Sequence, residues 1–177
     1  MKILVLEGSP HKNGTSNTIA NEWIRGAKEN HHEIEVIDVA HTSIHPCLGC
    51  DFCGMNGNCV QKDEGNRILN QILSADCLVF VTPVYYFGMS AQLKTLIDRF
   101  YARNGAITRK HLKVFYIAAA WNDDNVVMKA LDQHFDILTD YLQFKEIGRI
   151  MAKGAGMPSM IKKQYLLQAY EMGKSLK

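Results

Sequence analysis

The chain has 177 residues, of which 47% are hydrophobic and 21% charged, and its formal net charge is +2. That length supports one domain with a sizeable core, and the composition excludes a disordered chain. So small a net charge gives no electrostatic case for nucleic acid or an anionic membrane as partner, and no apolar run approaches the ~20 residues that span a bilayer.

The first element is Lys2–Leu6, KILVL. It is short, apolar and β-branched, and Gly-Ser-Pro follows Glu7, so it reads as a buried strand with a loop at its carboxyl end. The same run is too short for a secretory core of about 7–15 residues, and a cytoplasmic location is the expectation. In that compartment clustered cysteines point to metal or redox chemistry more than to disulfides. From about Ser16 to Lys28, Ile19, Trp23 and Ala27 recur at helical spacing, and Glu33–Val39 alternates like a strand. A long cysteine-bearing loop spans about 40–62. Asp63-Glu64 then open a helix carrying Ile68, Leu69, Ile72 and Leu73, carboxylates being suited to a helix N-terminus.

Cys77–Pro83 is a second continuously apolar strand, and its proline is expected to end central pairing. Ser90 caps a helix with Leu93, Leu96, Ile97 and Phe100 on one face. Lys113–Ala120 is a third apolar strand. Asp124 or Asn125 starts a helix through Val127, Leu131, Leu138 and Leu142. Phe144–Met151 is a weaker strand, and the last helix uses Ile161, Tyr165, Ala169, Met172 and Leu176. Strands and helices thus alternate through residues 1–177 with no repeat and no linker. Near-continuous apolar strands belong to a sheet covered on both faces, so the pattern predicts a doubly wound parallel α/β domain. Ligands in such sheets bind beyond the carboxyl ends of the strands, which directs attention to Gly8–Thr18, Thr82–Gly88 and Trp121–Asp124.

Gly8–Thr18, GSPHKNGTSNT, leads from the first strand into the first helix. It offers backbone amides and hydroxyls, and Asn17-Thr18-Ile19-Ala20 holds no carboxylate, which leaves the helix end free for an external anion. The loop is neither Walker A nor G-x-G-x-x-G. A monophosphate held by hydroxyls fits it, and so does a polar turn capped by Ser or Thr. In Thr82–Ser90, TPVYYFGMS, three consecutive aromatics cannot all point into the core from a loop end. Some face solvent, a partner or a flat ligand, and Gly88 permits close backbone approach.

Four of the five cysteines fall in one loop as Cys47-x2-Cys50-x2-Cys53-x5-Cys59. Zinc usually takes two separated pairs or Cys/His mixtures. The overlapping pairs are nearer to the ferredoxin run C-x2-C-x2-C-x3-C-P, with a longer last gap and Val60 in place of the proline. A four-iron cluster and a loop of reduced, idle thiols both remain open. Cys77 reads as a buried small hydrophobe. The histidines form no nucleophile–base arrangement, and no side chain is singled out as a catalytic acid or base.

The segments GSPHKNGTSNT, PCLGCDFCGMNGNCVQKDE and TPVYYFGMSAQLKTLIDRFY, in that order, resemble the NAD(P)H-dependent FMN reductase and iron–sulfur flavoprotein branch of the flavodoxin-like superfamily. The resemblance implies a five-stranded parallel sheet of order 2-1-3-4-5 with helices on both faces. It implies an FMN phosphate on Ser9, His11, Gly14, Ser16, Asn17 and Thr18, and an isoalloxazine ring against Pro83, Val84, Tyr85, Tyr86, Phe87 and Gly88. His11 stands where relatives often carry Arg, and the Gly14–Asn17 stretch is one residue longer than the commonest form. The resemblance further implies NAD(P)H as co-substrate, and a flavin, quinone or similar small molecule, or a redox protein, as electron acceptor. It also implies a homodimer or homotetramer, with Cys47, Cys50, Cys53 and Cys59 as ligands where a four-iron four-sulfur cluster is present. A non-catalytic electron carrier is the alternative to an enzyme.

Overall fold

In the computed structural model, which describes residues 1–177, the elements are β1 (Lys2–Glu7), α1 (Thr15–Glu29), β2 (Glu33–Asp38), α2 (Gly65–Ser74), β3 (Cys77–Tyr85), β4 (Gly88–Met89), α3 (Ala91–Arg99), α4 (Asn104–Lys110), β5 (Lys113–Ala119), α5 (Val126–Tyr141), β6 (Lys145–Ala152) and α6 (Lys163–Lys174). The five long strands pair in parallel in the order β2-β1-β3-β5-β6. Because side chains alternate across a strand, each apolar run feeds two cores. Leu4, Leu6, Leu78, Phe80, Val114 and Tyr116 pack with residues of α2, α3, α4 and α5 on one face. Ile3, Val5, Val79, Phe115 and Ile117 pack with α1 and α6 on the other. That is the physical reason the strands lack polar alternation. No helix is long and apolar enough to cross a membrane.

The parallel order is the expected one, with a correction to the five-strand count. A sixth strand, β4, folds back antiparallel on β3 through Val84↔Met89 and Tyr85↔Gly88. The expectation that Pro83 ends central pairing is also corrected, since β3 runs on to Tyr85 with Pro83 opposite Ala119 of β5. Val81 O accepts from Gly8 N, so Val81 and, two residues on, Pro83 turn their backbone groups toward the β1 side. β1 has already ended at Glu7, and the N–H that proline lacks has no partner there to lose. The third difference is α4, which was not foreseen. Asn104-Gly105 looks like a turn, yet Gly105 is needed for docking: a Cβ there would stand 2.6 Å from Asn56 Oδ1 in the cysteine loop.

Candidate flavin cleft and cysteine site

β1, β3 and β5 end side by side, and the end of β3 with the segments after β1, β5 and β6 encloses a cleft of about 700 Å³, a size usual for small-molecule sites. Ser90 joins the loop after β1 to the start of α3. Its Oγ donates to Gly8 O at 2.6 Å and accepts from Leu93 N at 3.3 Å, capping α3 as the sequence predicts. Gly8 has no space for a side chain, because a Cβ would lie 2.6 Å from Leu93 Cβ. The loop after β1 is therefore pressed onto the start of α3.

The N-cap of α1 is Gly14, which has no side chain to cap with, and the first turn holds no carboxylate. Thr18 N–H is the first in the helix to find an acceptor, Gly14 O at 2.9 Å. The N–H groups of Thr15, Ser16 and Asn17 have no acceptor in the chain, although all three residues are buried. The first N–H groups of a helix have no intrahelical acceptor, and with no side-chain cap here they and the dipole favour an anion. A phosphate monoester fits this donor set.

Ser9, His11, Gly14 and Ser16 line the cleft, together with Lys12, Asn13 and Thr15. Ser9 Oγ accepts from His11 N at 3.2 Å and shapes the turn. Asn17 and Thr18 do not line it. Asn17 Nδ2 donates to Glu7 Oε2 and to Lys12 O, both at 3.3 Å, and Thr18 Oγ1 donates to Gly14 O at 3.0 Å. Glu7, at the end of β1, thus stands behind the phosphate seat. Burial, helped by the neighbouring Asp38, pushes its carboxyl up to about 7.

Pro83, Val84 and Tyr85 form the second wall. Tyr86, Phe87 and Gly88 do not line the cleft. Tyr86 is fully exposed (101%) and Phe87 half-exposed, both with left-handed backbone at the tip of the β3–β4 hairpin. Gly88 is held in β4. The third wall was only partly foreseen. Trp121 lies in a segment already singled out, but Ala155, Gly156, Met157 and Pro158 had drawn no attention. Gly154 N donates to Asn122 O at 3.0 Å and Ala155 N to Ala120 O at 2.8 Å, which ties this segment to the end of β5. A Cβ on Gly156 would stand 2.1 Å from the Trp121 indole. The available signal was Gly154-Ala155-Gly156-Met157-Pro158 itself, a Gly- and Pro-punctuated run after a strand.

Cys47, Cys50, Cys53 and Cys59 line a second hollow, which shares no residue with the cleft. Its floor is the end of α3 and the turn after it: Arg99, Tyr101 and Ala102. Tyr101 OH donates to Asp51 Oδ1 at 2.8 Å, and Arg103 Nη2 donates to Asn58 Oδ1. Asn66 of α2 grips the Cys59 backbone, accepting from Cys59 N at 2.9 Å and donating to Cys59 O at 3.0 Å. Gly49, Asp51, Gly54 and Met55 take left-handed conformations that curl the loop. All five cysteines are free thiols, and Cys77 is buried as the sequence suggested, with burial pushing its thiol up to about 12.

No three His, Cys, Asp or Glu side chains lie close enough to hold one metal ion. A single zinc needs four thiolates crowded at about 2.3 Å around one centre; a four-iron cluster gives each thiolate its own iron and spreads them. The residues suit a cluster in donor type and in converging on one hollow. The space among them is only about 10 Å³, so the loop must widen to admit one.

A doubly wound parallel sheet with free helix-N-terminal amides beyond its strand ends is the architecture in which α/β proteins take up ligands at the switch point. Residues 1–156 match the family model described as NADPH-dependent FMN reductase. The chain belongs to that family. Among its relatives, an iron-sulfur flavoprotein of Methanocaldococcus jannaschii is 36% identical over 99 residues, covering 56% of this chain and 51% of that protein. An FMN-dependent NADH:quinone oxidoreductase of Methylorubrum extorquens is 34% identical over 111 residues, covering 56% and 54%. The chain therefore spans about half the length of the curated relatives it matches. A solved NAD(P)H:quinone oxidoreductase from Methanothermobacter marburgensis superposes with a TM-score of 0.81 at 18% identity, covering 100% of this chain and 96% of that one. At that identity the likeness shows the fold.

Proposed function

We propose that this protein is an FMN-dependent oxidoreductase that takes a hydride from NADH or NADPH and passes electrons to a small-molecule or protein acceptor. The observation that carries this reading is the pair of unpartnered amides of Thr15 and Ser16 at the end of a cleft of ligand size, with the free amide of Asn17 next in the same helical turn. Bound FMN supplies the redox chemistry. The chain binds and orients it: the amides and the Ser16 hydroxyl receive the phosphate, Ser9 Oγ shapes the turn by donating to His11 O, and Pro83, Val84, Tyr85 and Trp121 flank the remaining length. Tyr86, Phe87 and Gly88, which lie outside the cleft, act on a flavin only as an outer rim. Family membership and the quinone oxidoreductase among the relatives support an enzyme. Mass analysis of the cofactor released from purified protein tests the reading, together with NAD(P)H oxidation in the presence of a soluble quinone. Recovery of FAD, or failure to take up FMN on reconstitution, refutes it.

A second reading is favoured by the convergence of Cys47, Cys50, Cys53 and Cys59 on one hollow and by the iron-sulfur flavoprotein relatives. In it these thiolates hold a four-iron four-sulfur cluster that relays electrons. Anaerobic reconstitution expects about four irons per chain, lost in Cys50→Ser. We also propose self-association into a dimer or tetramer, because Leu48, Phe52, Tyr86 and Phe87 leave large apolar surface exposed. A monomeric mass by light scattering at micromolar concentration refutes that part.

A further inference from the structure

Arg99 is 1% exposed, at the last position of α3. One edge of its guanidinium is fully engaged. Nη1 donates to Asp63 Oδ2 at 2.7 Å and to His45 O at 2.9 Å, and Nη2 donates to Asp63 Oδ1 at 3.1 Å. Asp63 is itself fixed by the amides of His45 and Gly65, at 2.8 and 2.9 Å. The other edge is different. Nε–H is buried and has no acceptor, and Arg99 lines the hollow that the four thiols share.

An orphaned, buried N–H beside sulfur is informative because a donor left dry costs free energy that folding would otherwise avoid. We propose that Arg99 is a positioning residue of the cysteine site, whose free Nε–H donates to a sulfur of the group held there and makes that group easier to reduce. This rests on the iron–sulfur reading above. The Asp63–Arg99 pair is neutral as a whole, so its long-range field largely cancels. What remains is the short-range Nε–H donor. A hydrogen bond to sulfur favours the more negative, reduced cluster, as outer-shell donors tune metal sites in general.

The test uses the full chain with FMN bound. Wild type, Arg99→Lys and the double variant Arg99→Gln with Asp63→Asn are reconstituted anaerobically with iron and sulfide. Lysine keeps a charge for Asp63 but lacks the planar second edge. The double variant replaces the ion pair by a neutral pair, so folding does not depend on an unpaired buried charge. Iron and sulfide content, the one-electron midpoint potential by titration with dithionite, and the electron paramagnetic resonance spectrum of the reduced cluster are then compared. The expected result is full iron in all three proteins, with potentials in both variants more negative than wild type and a changed spectrum. Full iron with an unchanged potential overturns the role of Arg99 while leaving the cluster in place. Variants that fold but hold no iron overturn it too, because Arg99 then serves the loop rather than the potential. Wild type that takes up no iron refutes the iron–sulfur reading, and this inference falls with it.

Discussion

Thr15→Asp separates the anion seat from the fold that builds it. Thr15 opens α1, lines the cleft, and presents one of the unpartnered amides. A carboxylate there occupies the seat permanently. In the flavin-free protein it interacts favourably with the helix end, by about 0.3–1 kcal/mol, so the melting temperature should hold or rise by about 1–3 °C for a chain of this size. Toward FMN the sign reverses. A unit charge pair at about 4 Å and an effective dielectric of about 20 repels by about 4 kcal/mol, and a phosphate monoester carries ~1.5–2 charges. Counting only one pair, FMN affinity should fall by about three orders of magnitude. Riboflavin, which has no phosphate, is the control and should bind both proteins alike. Fluorescence titration with FMN and riboflavin reads both affinities. An FMN affinity lowered less than tenfold, or a riboflavin affinity lowered equally, would place the phosphate elsewhere.

Glu7→Gln should bind FMN more tightly than wild type at pH 8 and about equally at pH 5.5, because the wild-type carboxyl, pushed up to about 7 by burial and Asp38, ionises behind the seat as pH rises through that value. The folded pKa lies above the ordinary 4.5, so the stability this group contributes is present at low pH and lost between about 4.5 and 7; urea midpoints that rise across that window would contradict the assignment. Gly173→Ala sets two effects against each other: helix propensity favours alanine by about 1 kcal/mol, but its Cβ would lie 2.1 Å from Trp23 O. Overpacking costs about 1–3 kcal/mol, so a lowered melting temperature is expected, and a stabilised variant would show that α1 and α6 do not touch backbone to backbone. Asp63→Asn leaves Arg99 buried without its counter-charge and should cost about 3–5 kcal/mol. Burial alone would raise the Asp63 carboxyl, yet Arg99 and the His45 and Gly65 amides hold it well below the usual range, so its contribution is present above about pH 4 and lost as pH falls. Acid-unfolding curves that coincide for wild type and Asp63→Asn would refute this.

The sheet was legible because its strands are buried on both faces, so KILVL, CLVFVTP and KVFYIAAA stand out without any alternation to decode. The carboxyl-end loops followed from topology alone, and two of the three cleft walls with them. What could not be read were features decided by partners far away in the chain. Pro83 stays in β3 because β1 stops short beside it, a fact no local propensity carries. α4 forms although it opens with Asn-Gly, because it packs under the cysteine loop. The resemblance implied a phosphate contact from Asn17; Glu7 holds its side chain, while its backbone N–H is left without an acceptor. An Asn17→Asp change would therefore bring two carboxylates together and disturb the fold as well as the seat.

The two sites are held by different kinds of anchor, and this explains why one was easier to read. The cleft relies on backbone amides and on strand ends that pair with one another, so few side chains need to be right, and small or turn-forming residues announce it. The cysteine hollow lies on a loop with no regular structure of its own. Its geometry is imposed by side chains reaching in from α2 and α3: Asn66 on the Cys59 backbone, and Arg99 on Asp63 and His45 O. Asp63 looked in the sequence like an ordinary helix-opening carboxylate. In the structure it accepts from Gly65 N at that helix start and also locks Arg99 beneath the thiols. One residue thus couples the start of α2, the end of α3 and the cysteine loop. The thiols are thus displayed on a loop whose base is tied to two helices that pack into the core, although the loop itself is not part of it.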